Sequence, residues 1–253
     1  TRPPPLPPAP AVSASGRTAS PACAAVARPD GRTLPGVRHV VWDWNGTLLA
    51  DQQVVLHALN RLLGAFDRPP TTMATYQRLY TRPVRRFYER LFERPIADAE
   101  WGRIDDLFHD AYEEALADAT LADDAHAALD LVEGTGRTQS LLSMARHDML
   151  EPLVHRFGLH QRFVLVDGLR GPGGGRKAGE LAAHVREVAH VAGDDPHDYL
   201  VIGDATDDAE AAAHVGARCV LYDGGSHPRE ELERQGVPVV DSLVAALDVA
   251  GID

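Results

Sequence analysis

Asp43 closes the apolar run Val40-Val41-Trp42 and leads into Trp44-Asn45-Gly46-Thr47. A carboxylate at the end of a buried strand can act as a nucleophile and carry an aspartyl-phosphate. Gly46 marks a tight turn where the backbone can approach a ligand closely, and Thr47 adds a hydroxyl beside it. Three further polar signals follow: Ser143 after Leu141-Leu142, Lys177 at the start of a helical pattern, and the pair Asp204/Asp208 after Tyr199-Leu200-Val201-Ile202-Gly203. Taken singly, each is ordinary turn or helix-start chemistry. Taken in order, they supply a nucleophile, a hydroxyl, an ammonium and two more carboxylates.

The elements that must position these residues are read from periodicity. Residues 37–43 form a first strand. From about Gln52 to Ala128 the pattern is helical, with Val54, Val55, Ala58, Leu59, Leu62 and Leu63 on one face. Further helices are expected near 72–80, 83–92, 97–118 and 121–133, and no strand pattern interrupts them. Strands are then expected at 138–143, 163–166, 199–202, 219–222 and 237–240. Helices near 147–157, 177–191 and 207–214 alternate with them, and a glycine-rich loop covers 168–175. The alternation implies an α/β fold, a Rossmann-like doubly wound parallel sheet, with an inserted all-helical cap domain. In an open sheet of this kind, ligands bind beyond the carboxyl ends of the strands, where the strand order reverses. The expected domains are a disordered Pro/Ala-rich tail over 1–35, a core over 36–50 and 129–253, and a helical cap over 51–128.

Bulk properties narrow the function classes. The chain has 253 residues, 44% of them hydrophobic and 25% charged, the balance of an ordinary globular protein. A formal net charge of −12 argues against a nucleic-acid partner. No apolar run approaches a membrane span, and prolines interrupt every apolar run near the N-terminus, so neither a membrane partner nor a signal peptide is expected. Of the two cysteines, Cys23 falls in the tail and Cys219 in a strand. A structural disulfide is therefore not expected, and a reducing, cytoplasmic compartment fits.

The pattern resembles the haloacid dehalogenase superfamily of phosphohydrolases, and within it the phosphoglycolate phosphatase-like proteins with a helical cap. Its first motif is an apolar strand followed by Asp-x-Asp-Gly-Thr; this chain has Asp43-Trp44-Asn45-Gly46-Thr47. Ser143, Lys177 and the Gly203-Asp204-x-x-x-Asp208 run match the remaining three motifs. The cap is matched by position and helicity alone. The resemblance implies in-line attack by Asp43 on phosphorus, departure of the alcohol and hydrolysis of the aspartyl-phosphate by water. It implies Mg²⁺ as cofactor, held by Asp43, Asp204, Asp208 and the backbone carbonyl of Asn45. Physical chemistry agrees: a phosphate dianion calls for cations and donors, here Lys177, Ser143, Thr47 and backbone N–H groups. A carboxylate beside a dianion needs a cation to screen both. The motif spacing selects Asp208 over its neighbour Asp207, which is expected to cap the helix or face solvent.

Two departures stand out. Where the family's phosphatases carry the Asp that protonates the leaving oxygen and then activates water, this chain has Asn45. An amide has no usable proton equilibrium near neutrality, and general acid–base help is typically a factor of about 10²–10⁴. Three readings stay open. Turnover persists slowly or with another acid/base, such as a cap residue or His147; or the substrate has a good leaving group, such as an acyl phosphate; or turnover is lost and phosphate-ligand binding remains. The second departure is Gly175-Arg176-Lys177-Ala178 in place of the usual Gly-Lys-Pro.

Substrate choice falls to the cap, where Arg82, Arg85 and Arg86 share a helix face with aromatic neighbours. Either they form a solvated basic face, or they read a second anionic group, as in phosphoglycolate or a sugar phosphate. The expected function is Mg²⁺-dependent hydrolysis of a small phosphorylated metabolite. The alternative is a catalytically impaired phosphate-binding or regulatory protein. Dehalogenation is disfavoured, because those family members need no Mg²⁺ and the Asp204/Asp208 pair reads as a metal site.

Overall fold

The structure, a computed structural model, describes residues 36–81, 83–170 and 176–253. The tail expected over 1–35, Arg82, and residues 171–175 of the glycine-rich loop lie outside them. The central strand is β1, His39–Trp42, and all four of its residues are buried. It pairs in parallel with β4, Thr138–Arg146, on one side and with β6, Tyr199–Gly203, on the other. The sheet continues through β5, Val166–Leu169, and on the opposite side through β7, Arg218–Tyr222, and β8, Val239–Val240. Its order is β5-β4-β1-β6-β7-β8, parallel throughout.

Side-chain alternation along β1 explains why both faces are covered. Val40 and Trp42 point to one face, into a cluster with α5 (Ala125–Gly134), α6 (His147–Arg156) and α10 (Leu243–Val249). Val41 points to the other, into a cluster with α7 (Lys177–Ala192), α8 (Thr206–Val215) and α9 (Arg229–Glu233). This is the doubly wound α/β arrangement expected from the strand–helix alternation. The strand order reverses at β1, so the crevice beyond its carboxyl end is the place for a site.

Between β1 and β4 the chain makes a helical excursion. It leaves through β2, Leu49–Ala50, and returns through β3, Thr120–Leu121, which pair antiparallel as a two-stranded stem. The absence of any strand between 52 and 128 is thus corrected, since β3 lies there; two residues are too few to show a period of two. Among the described residues, four α-helices lie between: α1 (Gln52–Ala65), α2 (Met73–Leu79), α3 (Val84–Phe92) and α4 (Asp98–Ala115). They share a cluster of their own, centred on Leu59, Leu62, Tyr76, Phe87, Tyr88, Phe92 and Ile104. The helix expected over 121–133 covers 125–134 instead, and its Ala125, Ala128 and Leu129 pack in the cluster under the sheet.

One strand is displaced. The apolar run 163–166 predicts a strand there, but β5 begins at Val166. Phe163 and Leu165 are apolar because they pack against the two faces of the core, while ladder pairing with β4 starts at Leu141–Val166. Cys219 is a buried free thiol in β7. Among the described residues, no helix is long and apolar enough to cross a membrane.

Candidate functional site

The carboxyl ends of β1 and β6 bring Asp43 and Asp204 side by side, and the first turn of α8 adds Asp208. One carboxylate oxygen from each lies within 4.8 Å of those of the other two, and all three residues are buried. Lys177, the first residue of α7, reaches in from the other side of the loop and ion-pairs with both Asp43 and Asp208. Its register, unsettled by the unusual Arg176-Lys177-Ala178 run, is thereby placed; Arg176 is exposed. Asp208 rather than Asp207 faces the cluster. Its second oxygen accepts the Ala205 N–H at 3.0 Å, bracing the start of α8. Asp207 does not cap that helix: Ala205 holds the cap position and Asp207 is half-buried in the first turn.

Glycines make this crowding possible. Gly46 has φ +77°, and a Cβ there would sit 2.5 Å from an oxygen of Asp204. Gly203 and Gly225 press against Asp208 and Asp204 so closely that neither position admits a side chain. Thr47 is buried with its hydroxyl 3.4 Å from Asp204 and 3.5 Å from Asp43. Ser143 lies where the β4–β5 register shifts; it accepts the Ala145 N–H at 3.0 Å and donates to Asn45 Oδ1 at 3.4 Å.

Burial pushes the Asp43 carboxyl well above the usual range, with Lys177 opposing and Asp208 and Asp204 adding to the rise. Burial, then the neighbouring Asp208, pushes Asp204 up to about 7. Burial pulls the Lys177 ammonium down, but Asp208 and Asp43 outweigh it and hold it protonated. Three buried carboxylates facing one ammonium are short of positive charge. An all-oxygen donor set of this kind suits a hard divalent cation such as Mg²⁺. Another set of ligating side chains, Glu151, His155 and His160, is exposed and carries none of this electrostatic demand.

Three neighbours of the site were not legible in the sequence. Ser226, after β7, donates to Asp204 from its N–H at 2.6 Å and its hydroxyl at 2.7 Å. Asp51, the residue before α1, accepts from Asn45 Nδ2 at 2.8 Å, from Tyr112 hydroxyl at 2.6 Å and from Gly46 N–H at 3.0 Å. Tyr112, on α4, also accepts from Asn45 Nδ2 at 2.8 Å. A Gly-Gly-Ser run after a strand was the one available hint for Ser226. Nothing local marks Tyr112.

The arginines of the insert behave differently from one another. Arg85 is held within the insert: it ion-pairs with Asp98 at 2.6 Å and Glu89 at 3.8 Å and donates to the Ile96 carbonyl. Arg86 is exposed on the same helix, and Arg82 lies outside the described residues. His147, a candidate substitute base, instead accepts the Gly168 N–H at 3.3 Å and lies 3.0 Å from Arg170, at the end of β5.

A model of the haloacid dehalogenase-like hydrolase family matches residues 37–216. The chain is 26% identical to phosphoglycolate phosphatase 1 of Pseudomonas aeruginosa over 212 residues, covering 81% of this chain and 77% of that protein. Among solved structures, it superposes on a haloacid dehalogenase-like hydrolase from Streptococcus pneumoniae with a TM-score of 0.71. That pair shares 14% identity, over 84% of this chain and 98% of the other. It also superposes on CbbY of Rhodobacter sphaeroides, solved in complex with phosphate. There the TM-score is 0.65 and the identity 17%, over 84% and 99% of the two chains. At these identities the structural matches establish the fold.

Proposed function

The chain belongs to the haloacid dehalogenase-like hydrolase family, and on that premise we propose that it is a Mg²⁺-dependent phosphatase of a small phosphorylated metabolite, with Asp43 as nucleophile. The observation that carries the reading is the buried set Asp43, Asp204, Asp208 and Lys177 at the point where the strand order reverses. The phosphoglycolate phosphatase likeness and the phosphate bound to a structural neighbour support the substrate class.

In this reading Asp43 attacks phosphorus in line and the alcohol leaves; water then cleaves the aspartyl-phosphate. Lys177 neutralises Asp43 before attack and the phosphoryl oxygens during it. Ser143 and Thr47 offer hydroxyl donors to those oxygens. Asp43, Asp204 and Asp208, with the Asn45 carbonyl, would hold Mg²⁺, which supplies charge neutralisation between carboxylate and phosphate when bound. Ser226 fixes the Asp204 carboxylate by two hydrogen bonds. Asn45 contributes an oriented amide and carries no proton, so substrates whose leaving group needs little protonation are the better ones. The helical insert over α1–α4 acts as the cap that selects the substrate, with Arg86, exposed on α3, available to a second anionic group.

The test is inorganic phosphate release from a panel of phosphomonoesters and acyl phosphates, with and without Mg²⁺, with Asp43→Ala as the blank. Release that needs both Mg²⁺ and Asp43 is expected. The Asn45 side chain keeps a second reading in play, phosphate-ligand binding without turnover. No release from any compound, together with saturable binding of inorganic phosphate, would replace the first reading with the second.

A further inference from the structure

Asn45 invites description as a damaged Asp, but its surroundings are built for an amide. Its Nδ2 has two hydrogens, and both are used, on Asp51 Oδ2 and on the Tyr112 oxygen. The Tyr112 hydroxyl then donates its one hydrogen to the same Asp51 oxygen at 2.6 Å, closing a three-membered ring of hydrogen bonds. The remaining Asp51 oxygen accepts the Gly46 N–H. Asp51 is buried, so its carboxylate depends on these three donors in place of water. The ring also fixes which way the amide points. Turning it over would set Oδ1 against the Asp51 carboxylate, so Oδ1 faces the Ser143 hydroxyl instead.

The three residues come from three places: Asn45 from the loop after β1, Asp51 from the exit to the insert, and Tyr112 from α4, where its ring stacks on Phe108. We propose that Asn45, Asp51 and Tyr112 are one matched unit, in which the carboxylate at 51 requires the amide at 45. Asp51 and Tyr112 are positioning residues: they aim the Asn45 side chain at Ser143 and tie the insert to the nucleophile's loop. An Asp at 45 would bring an acceptor where Asp51 and Tyr112 both need a donor. The pair should therefore tolerate exchange better than either single change. With Asp at 45 and Asn at 51, an amide still faces a carboxylate, Tyr112 still has an oxygen to donate to, and Gly46 keeps an acceptor.

The kinetic half of this proposal rests on the phosphatase reading. The stability half does not, and the two are measured separately, at pH 8. Asn45→Asp and Asp51→Asn are each expected to lower the melting temperature and to cut kcat roughly tenfold, a coupling within the range of contacting residues. The double variant N45D/D51N is expected to recover the melting temperature and to exceed the kcat of Asn45→Asp alone. Tyr112→Phe keeps the stack on Phe108 and guards against singles that fail to fold; it should lower kcat with KM little changed. Losses that add in the double variant would overturn the proposal. So would Asn45→Asp raising turnover at unchanged melting temperature, or a Tyr112→Phe enzyme with the parent kcat. If the parent chain releases no phosphate from any compound, the phosphatase reading falls. The melting-temperature cycle then decides alone: recovery in the double variant upholds the unit and additivity rejects it.

Discussion

Two polar clusters flank Gly46, and they are built on opposite principles. On one side Asp43, Asp204 and Asp208 crowd around a single ammonium, with burial driving Asp43 and Asp204 toward protonation. On the other, Asn45, Asp51 and Tyr112 match donors to acceptors one for one. The first cluster is short of positive charge by itself, so a cation taken up there would stabilise it. The second is complete and gains nothing from a ligand. The two clusters can thus be told apart by how fully hydrogen-bond donors satisfy their carboxylates, even though burial pushes the Asp51 carboxyl up as well.

Several experiments would sharpen or break this contrast. The largest effect belongs to Asp43, the nucleophile of the proposed mechanism: Asp43→Ala should lower phosphate release by about 10⁴-fold or more, as loss of a nucleophile generally does. Next comes Lys177→Met. Removing one partner of a buried ion pair costs about 3–5 kcal/mol, and urea denaturation should show a loss of that order. Mg²⁺ should recover part of it, because a cation then returns to the same carboxylates. Undiminished stability would mean that the three carboxylates do not depend on Lys177.

The third effect is that of Mg²⁺ on the parent chain, and its pH dependence has a definite sign. Asp204 titrates near 7 in the fold, against the ordinary 3.8 in the unfolded chain. The folded state then holds a proton that the unfolded state releases, so its contribution to stability declines as pH rises from about 4 through 7. A cation competes with that proton. At a concentration of 100 Kd, Mg²⁺ should add about 2.7 kcal/mol, with the full gain above pH 7 and little at pH 5. A gain that is flat with pH would separate metal binding from the Asp204 carboxylate. The smallest effect is Tyr112→Phe. It should cost about 1–2 kcal/mol, because it removes both the bond to Asp51 and the bond from Asn45. It should leave the Mg²⁺ increment unchanged. A Tyr112→Phe variant that loses the increment would join the two clusters into one.

What could be read from sequence followed the range of the interaction. Asp43 follows an apolar strand, Ser143 follows the apolar pair within β4, and Lys177 and Asp208 stand in the first turns of periodic helices, where local pattern places such residues. The stem strands Leu49–Ala50 and Thr120–Leu121 escaped because two residues cannot display alternation. Phe163 and Leu165 were misread as strand because apolar packing and ladder pairing leave the same mark in a short run. Arg85 looked available on its helix face because Asp98, its partner, belongs to another helix. Tyr112 carries no local mark at all: its role exists only once α4 is folded back over the loop after β1.

The place of β1 has a consequence for how the molecule is made. Its two neighbours enter with Thr138 and Tyr199, long after Val40–Trp42 has been synthesised. The insert needs only residues between Leu49 and Leu121 for its own aromatic cluster, so it can assemble early while the central strand is still unpaired. Non-local parallel pairing is slow, and waiting apolar strands are prone to aggregate. The risk of aggregation during synthesis is therefore expected to be greatest in the interval before β6 emerges. Chains stopped short of Tyr199 should be recovered as insoluble material, even though they contain the whole insert and Asp43.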